Sequence, residues 1–387
     1  MRSLTLPLLL LLAGCSSWEP VRRYDRWTLY EERASEVSPE AFEAAFNPAF
    51  EAVEAALGPF ERRVHVHAWN GAVSLDGAQR GSIRRDREDA IEDIPGIGPA
   101  LIQAYHSRGG SGPFAPTGIF IGTADAGTAV HELVHARIAE SGRSLPLWFE
   151  EGYASILGDG LLVGGRWVVD GLACWPWREL SEERFSDAEL TRLLELRASD
   201  DATIKENVLV HFLGWAIAFD LYRETGTLDW EVWLDRFDER DTLAEARRRL
   251  ARTLAPETPI DWCERLADPD PGVRLACAKG MWKLRSEAVF HRLMEALEDE
   301  RNPEVRVGLA INALAAAGEL RLHWRTWRSA ERRILRALRD SELPDSAERA
   351  AALELYHAYR PDRRGIHGTH GDQAQAALAR LARFWEE

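Results

Sequence analysis

Thr128-Ala129-Val130-His131-Glu132-Leu133-Val134-His135-Ala136-Arg137 places two histidines four residues apart, with a carboxylate directly after the first. Residues four apart share one face of a helix, so both imidazoles can reach a single metal ion. Glu132 sits beside that face. A divalent ion there lowers the pKa of a water, and the carboxylate accepts its proton as the water attacks a carbonyl. In a chain with eleven histidines such spacing arises by chance in roughly a few per cent of sequences, so the flanking sequence carries the weight. Upstream, Gly118-Ile119-Phe120-Ile121-Gly122 reads as a short apolar strand bounded by glycines. Asp125 is positioned to cap a helix running to about Glu140, with Gly142 just past its end. A second helix is predicted from Ser144-Leu145-Pro146, with proline in its first turn, to Leu157, and Gly158 and Gly160 stop it.

That second helix carries Leu147-Trp148-Phe149-Glu150-Glu151-Gly152-Tyr153-Ala154. The stretch resembles the Pro-x-Trp-[Leu/Phe]-x-Glu-Gly-x-Ala segment of gluzincin metallopeptidases, the thermolysin- and aminopeptidase-N-like group. The resemblance implies that Glu151 is a third ligand, brought back beside His131 and His135 by an antiparallel helix pair. It further implies Zn2+ as cofactor, an open fourth coordination position, and Glu132 as general base. Glu150 occupies the variable position and is expected to face solvent. The likeness spans roughly Val64 to Gly226, and two departures stand out. Related small domains begin the helix corresponding to Asn207–Glu224 with a tyrosine that stabilises the oxyanion. None is present there, and His211 and Tyr153 are the candidate substitutes. The family also tends to place an acid one turn after the third ligand, where this chain has Ser155.

Elsewhere, Pro39 to Leu57 reads as an amphipathic helix with Phe42, Phe46, Phe50, Val53 and Leu57 at helical spacing, interrupted by Pro48. Arg63 to Trp69 alternates as a strand, with His65 and His67 on one face as a structural or solvated pair. Residues 71–116 look loop-dominated, with a helix expected near Gly98–Tyr105. Further helices are expected near Ser186–Leu196, Glu206–Glu224 and Leu243–Leu254. Beyond Pro256 the texture changes. Leu266-Ala267-Asp268-Pro269-Asp270-Pro271-Gly272-Val273-Arg274 returns as Leu297-Glu298-Asp299 through Asn302-Pro303-Glu304-Val305-Arg306, with the Val-Arg pairs 32 residues apart. A looser third copy runs from Leu338-Arg339-Asp340 to Glu348-Arg349. The phrase resembles HEAT-like repeats, in which Asp and Pro shape the inter-helix turn. From about Pro361 a Gly/His-rich loop and a closing helix are expected.

The N-terminus reads as a leader. Arg2 precedes an apolar run from Leu4 to Leu12, too short to span a bilayer but suited to a signal-peptide core. It ends in Leu12-Ala13-Gly14-Cys15, which resembles the bacterial lipobox and implies cleavage before Cys15 and acylation there. Ser16 and Ser17 carry no acid, which by the same resemblance favours the outer membrane, facing the periplasm. Acyl chains would tether the protein stably. No later segment reads as transmembrane.

Composition narrows the classes further. The chain has 387 residues, 45% hydrophobic and 29% charged, and a net charge of −15. That size predicts more than one domain, and that acidity argues against a nucleic-acid partner. Cys174, Cys263 and Cys277 are expected as buried free thiols. Trp175, Trp177, Trp324 and Trp327 are expected in core or interface roles. No phosphate loop, nucleophile elbow or cofactor fingerprint is visible.

The expected organisation is a signal peptide (1–14), an N-terminal tether (15–38), a gluzincin-like domain (39–255) and a HEAT-like domain (256–387). The fold class is α+β and mostly helical, with a small mixed sheet and a helical zincin core followed by an all-α repeat domain. The expected function is hydrolysis of peptide bonds in peptide or protein substrates, with a protein partner on the repeats. The alternatives are a non-catalytic zinc lipoprotein and an envelope scaffold working through its repeats.

Overall fold

The computed structural model describes residues 18–32, 38–68, 104–107, 118–122, 124–163, 166–173, 185–198, 202–237, 239–255, 257–281, 284, 286–319 and 324–339. The chain divides into two compact units, Met1–Gly158 with Arg184–Arg247, and Asp159–Glu183 with Arg248–Glu387. Residues 159–183 thus group with the C-terminal half, although the sequence boundary at 255 set them in the first domain. The lipobox, Cys174, Trp175, Trp177, the third repeat copy beyond Arg339 and the closing helix lie outside the described residues.

The first unit pairs a mixed sheet with helices. Strands β1 (Trp18–Arg23), β2 (Trp27–Glu32), β3 (Val64–Ala68), β4 (Ala104–Ser107) and β5 (Gly118–Ile121) stand in the order β1-β2-β3-β5-β4. The β2-β3 and β3-β5 pairs are parallel, and the outer pairs antiparallel. Val66, Ala68, Ile119 and Ile121 at its centre share one face and are fully buried, turning that face into the core.

Two expectations change here. Residues 18–32, read as tether, supply the β1-β2 edge, because Trp27 and Leu29 alternate into the core. Residues 104–107, placed at the end of a helix, form a strand hydrogen-bonded to β5. Tyr105 and neighbouring apolar residues have no helical period long enough to separate the two states.

Helix α1 (Pro39–Leu57) forms as the phenylalanine spacing predicts and retains Pro48 inside it. Its buried Phe46 and Phe50 stack on Trp27, with ring centroids 5.2 and 6.5 Å away. Ser38 caps its start. On its other side α1 packs against α2 (Ala126–Glu140). Helix α3 (Leu147–Gly158) follows after a short turn, so α2 and α3 form an antiparallel pair. Helices α4 (Asp187–Glu195), α5 (Ile204–Thr225) and α6 (Trp230–Arg236) complete the unit. Ser186 and Thr203 start α4 and α5 with reciprocal capping boxes. Helix α7 (Thr242–Thr253) contains the division between the units.

The second unit is dominated by helices α8 (Thr258–Cys263), α9 (Pro271–Gly280), α10 (Glu287–Asp299), α11 (Pro303–Glu319) and α12 (Trp324–Arg339). A two-stranded ribbon, β6 (Leu161–Val163) with β7 (Arg166–Val168), belongs to the same unit. Its core includes Cys277, Phe290, Leu293, Val305, Ile311, Leu314 and Ile334, all buried.

The two Asp/Pro phrases make matching turns. Asp270 caps α9, and Asn302 accepts from the backbone N–H of Glu304 and Val305 at the start of α11. Arg274 donates to the carbonyl of Asp268 at 2.7 Å, and Arg306 donates to that of Glu300 at 2.8 Å. Arg274 also grips the Glu300 carboxylate with two bonds of 2.7 and 2.9 Å. Cys263 and Cys277 are buried free thiols, as expected, and burial pushes Cys263 up to about 12. Among the described residues no helix is long and apolar enough to cross a membrane.

Candidate metal centre

Helix α2 begins where the sequence places it, with the Asp125 carboxylate accepting from Thr128 N at 2.7 Å. This fixes the helical phase that turns His131 and His135 to one side. Helix α3 is buried around most of its circumference, from Leu147 through Ala154. A helix without a solvent face brings both of its glutamates inside.

Close packing sets the register between the helices. A Cβ on Gly158 would lie 3.1 Å from His131 Cβ, and one on Gly127 would lie 2.8 Å from the Gly158 carbonyl oxygen. On the other side of α3, a Cβ on Gly152 would collide with the Gly214 carbonyl of α5, and one on Gly214 with that of Trp148. This glycine contact draws His211, one turn before Gly214, up to Glu151, the neighbour of Gly152.

His131, His135 and Glu151 converge as one group with metal-ligand chemistry. The His131 and His135 Nε2 atoms are 3.2 Å apart. Glu151 Oε2 lies 3.2 Å from His135 Nε2 and 3.3 Å from His131 Nε2. Donors around a tetrahedral ion with bonds of about 2.0–2.1 Å stand about 3.3–3.4 Å apart. The triangle therefore fits a tetrahedral divalent cation such as Zn2+, with two imidazoles and one carboxylate as donors.

Glu132 is 5% exposed, and its buried Oε2 has no hydrogen-bond partner. An unpaired buried carboxylate oxygen is costly, and burial raises the Glu132 carboxyl to about 7. Burial likewise lowers His131 to about 4, favouring the neutral ring that binds metal. For Glu151, burial opposes ionisation, but His211 and then His135 outweigh it and hold the carboxylate charged.

His211 joins the group from α5. Its Nε2 stands 2.9 Å from Glu151 Oε2, and its ring stacks on His131 with centroids 5.6 Å apart and planes within 8°. Its Nδ1 faces the Asn207 carbonyl at 2.7 Å, which orients the ring. Burial lowers its proton affinity, but Glu151 and the Asn207 carbonyl overcome this and raise it to about 8. The side chain as a whole is 41% exposed, while its Nε2 is turned toward the buried Glu151.

Tyr153, the other candidate, is fully buried and donates to the Leu228 carbonyl at 2.6 Å while packing against Phe149 and Trp233. Its role is structural. His65 and His67 pack against Tyr30 and also serve the core.

One expectation fails. Glu150 is not solvent-exposed but 6% exposed, with Oε2 3.9 Å from His135 Nδ1. The variable position does not turn outward here, because every residue from Leu147 through Ala154 is buried. The apolar residues flanking the two glutamates were the available signal. Ser155, one turn beyond Glu151, is only partly buried.

No family model, curated protein or solved structure matches this chain.

Proposed function

We propose that the chain is a zinc-dependent metallopeptidase of gluzincin type, held in the bacterial envelope by a lipid on Cys15. The observation that carries this reading is the triangle of His131, His135 and Glu151 donors beside the buried, unpartnered Glu132 oxygen. A structural metal site has no use for that carboxylate, and a cost of this kind persists where it serves chemistry.

His131, His135 and Glu151 would hold Zn2+, which supplies Lewis acidity and makes water acidic enough to deprotonate near neutral pH. Glu132 takes the proton of the attacking water on its unpartnered oxygen. It then returns that proton to the leaving amine. His211 Nε2 faces Glu151; with Glu151 engaged by the cation, this nitrogen would be released and, when protonated, would donate to the oxygen of the substrate carbonyl as charge builds there.

The second unit reads as HEAT-like repeats. Support comes from the recurring capped turns at Asp270 and Asn302 and from the matching Arg274 and Arg306 bonds. Such a helical stack would offer a surface for a protein substrate or partner.

The test is hydrolysis of a mixed library of unfolded peptides by wild type and Glu132→Gln, each loaded with zinc. Cleavage by wild type, abolished by chelator and reduced in Glu132→Gln by about 10²–10⁴, supports the reading. Equal rates for the two proteins contradict it.

A further inference from the structure

We infer that Glu150 is the positioning residue for His135, fixing through Nδ1 which nitrogen of that ring faces the metal. The inference rests on the metal-site reading above. His135 lies between two carboxylates. Glu151 meets its Nε2 at 3.2 Å, and Glu150 approaches the opposite nitrogen, Nδ1, at 3.9 Å.

The two glutamates are neighbours on one helix yet have different tasks. Glu151 belongs to the converging donor group, whereas Glu150 does not. Both are buried, at 8% and 6% exposure, and His135 is 8% exposed. Bulk water is therefore excluded from setting the tautomer of this imidazole, and its neighbours must do so. With Glu150 ionised, the proton of neutral His135 is favoured on Nδ1, leaving the Nε2 lone pair directed at the His131–Glu151 pair.

A separation of 3.9 Å exceeds a direct hydrogen bond, so the coupling in this geometry is electrostatic. Closing it to a hydrogen bond takes a side-chain movement of about 1 Å. The same carboxylate makes the imidazole a stronger donor to a cation by stabilising positive charge on the ring. Ser155 has no charge to provide this, and it lies on the far side of Glu151 in the helix sequence.

The test is zinc affinity of the full-length protein, measured by competition with a chromogenic chelator, for wild type, Glu150→Gln and Glu150→Ala. Melting of each metal-free protein is followed in parallel. A positioning role predicts a zinc Kd about 10–100-fold weaker in Glu150→Ala. Glu150→Gln, which keeps shape and an acceptor oxygen, should recover part of that loss. A merely structural glutamate would move the metal-free melting temperature and leave the Kd alone. A Kd within about twofold of wild type for folded Glu150→Gln and Glu150→Ala overturns the assignment. A wild-type protein that takes up no zinc overturns the metal-site reading beneath it.

Discussion

Burial carries the Glu132 carboxyl from its usual value near 4.5 to about 7, with no hydrogen bond to compensate at Oε2. In the metal-free protein the folded chain holds a proton that the unfolded chain has released. Ionising Glu132 therefore erodes stability as pH rises from about 4.5 to about 7, and above that the loss is complete. Glu132→Gln lacks this proton. Its stability advantage over metal-free wild type should grow across that window and then level off, on the order of 3 kcal/mol at most. Melting curves at a series of pH values would show it, and a constant difference would mean the carboxyl is not buried as described. His211→Phe keeps a ring to stack on His131 but removes Nε2. Its kcat for peptide hydrolysis should fall by about 10²–10³ with zinc content intact, and loss of zinc instead would make His211 a ligand. The His131, Glu132 and His135 cluster was legible because its geometry is local, encoded by one helical turn. Glu150 was not, since the direction of its side chain depends on what covers α3.

Most elements follow from local rules. Helices α1, α2, α4 and α5 start at cap residues and end close to where periodicity stops. The edge strands β1 and β4 escaped because their state is decided by a partner strand distant in sequence. The glycine crossing of α3 and α5 is likewise a long-range feature, written as single glycines that ordinary helix propensity would disfavour. On an exposed helix, Gly→Ala stabilises by about 1 kcal/mol. Gly214→Ala should do the opposite, because its Cβ would meet the Trp148 carbonyl and the backbone of Gly152. A loss of about 1–3 kcal/mol is expected from such overpacking, with weaker zinc binding as Glu151 shifts. Thermal melting and chelator competition would register both, and a stabilised variant with unchanged zinc affinity would refute the close crossing.

The chain divides into a unit that carries the candidate metal centre and a second, mostly helical unit, and residues 159–183 group with the second where the sequence boundary at 255 set them in the first. That stretch follows α3 directly, so chain order alone favoured the first domain, whereas tertiary packing decides the matter. The proposed membrane tether belongs to this scale too. If Cys15 carries the acyl chains as proposed, Cys15→Ser should move the protein from the membrane fraction to the soluble periplasmic or precursor pool, as fractionation and blotting would reveal. Retention in membranes at wild-type level would remove the lipobox reading. The zinc content of purified wild type and His135→Ala, by elemental analysis against protein concentration, tests the central claim most directly. About one zinc per chain is expected, lost in His135→Ala, and wild type that neither contains nor takes up zinc would contradict it.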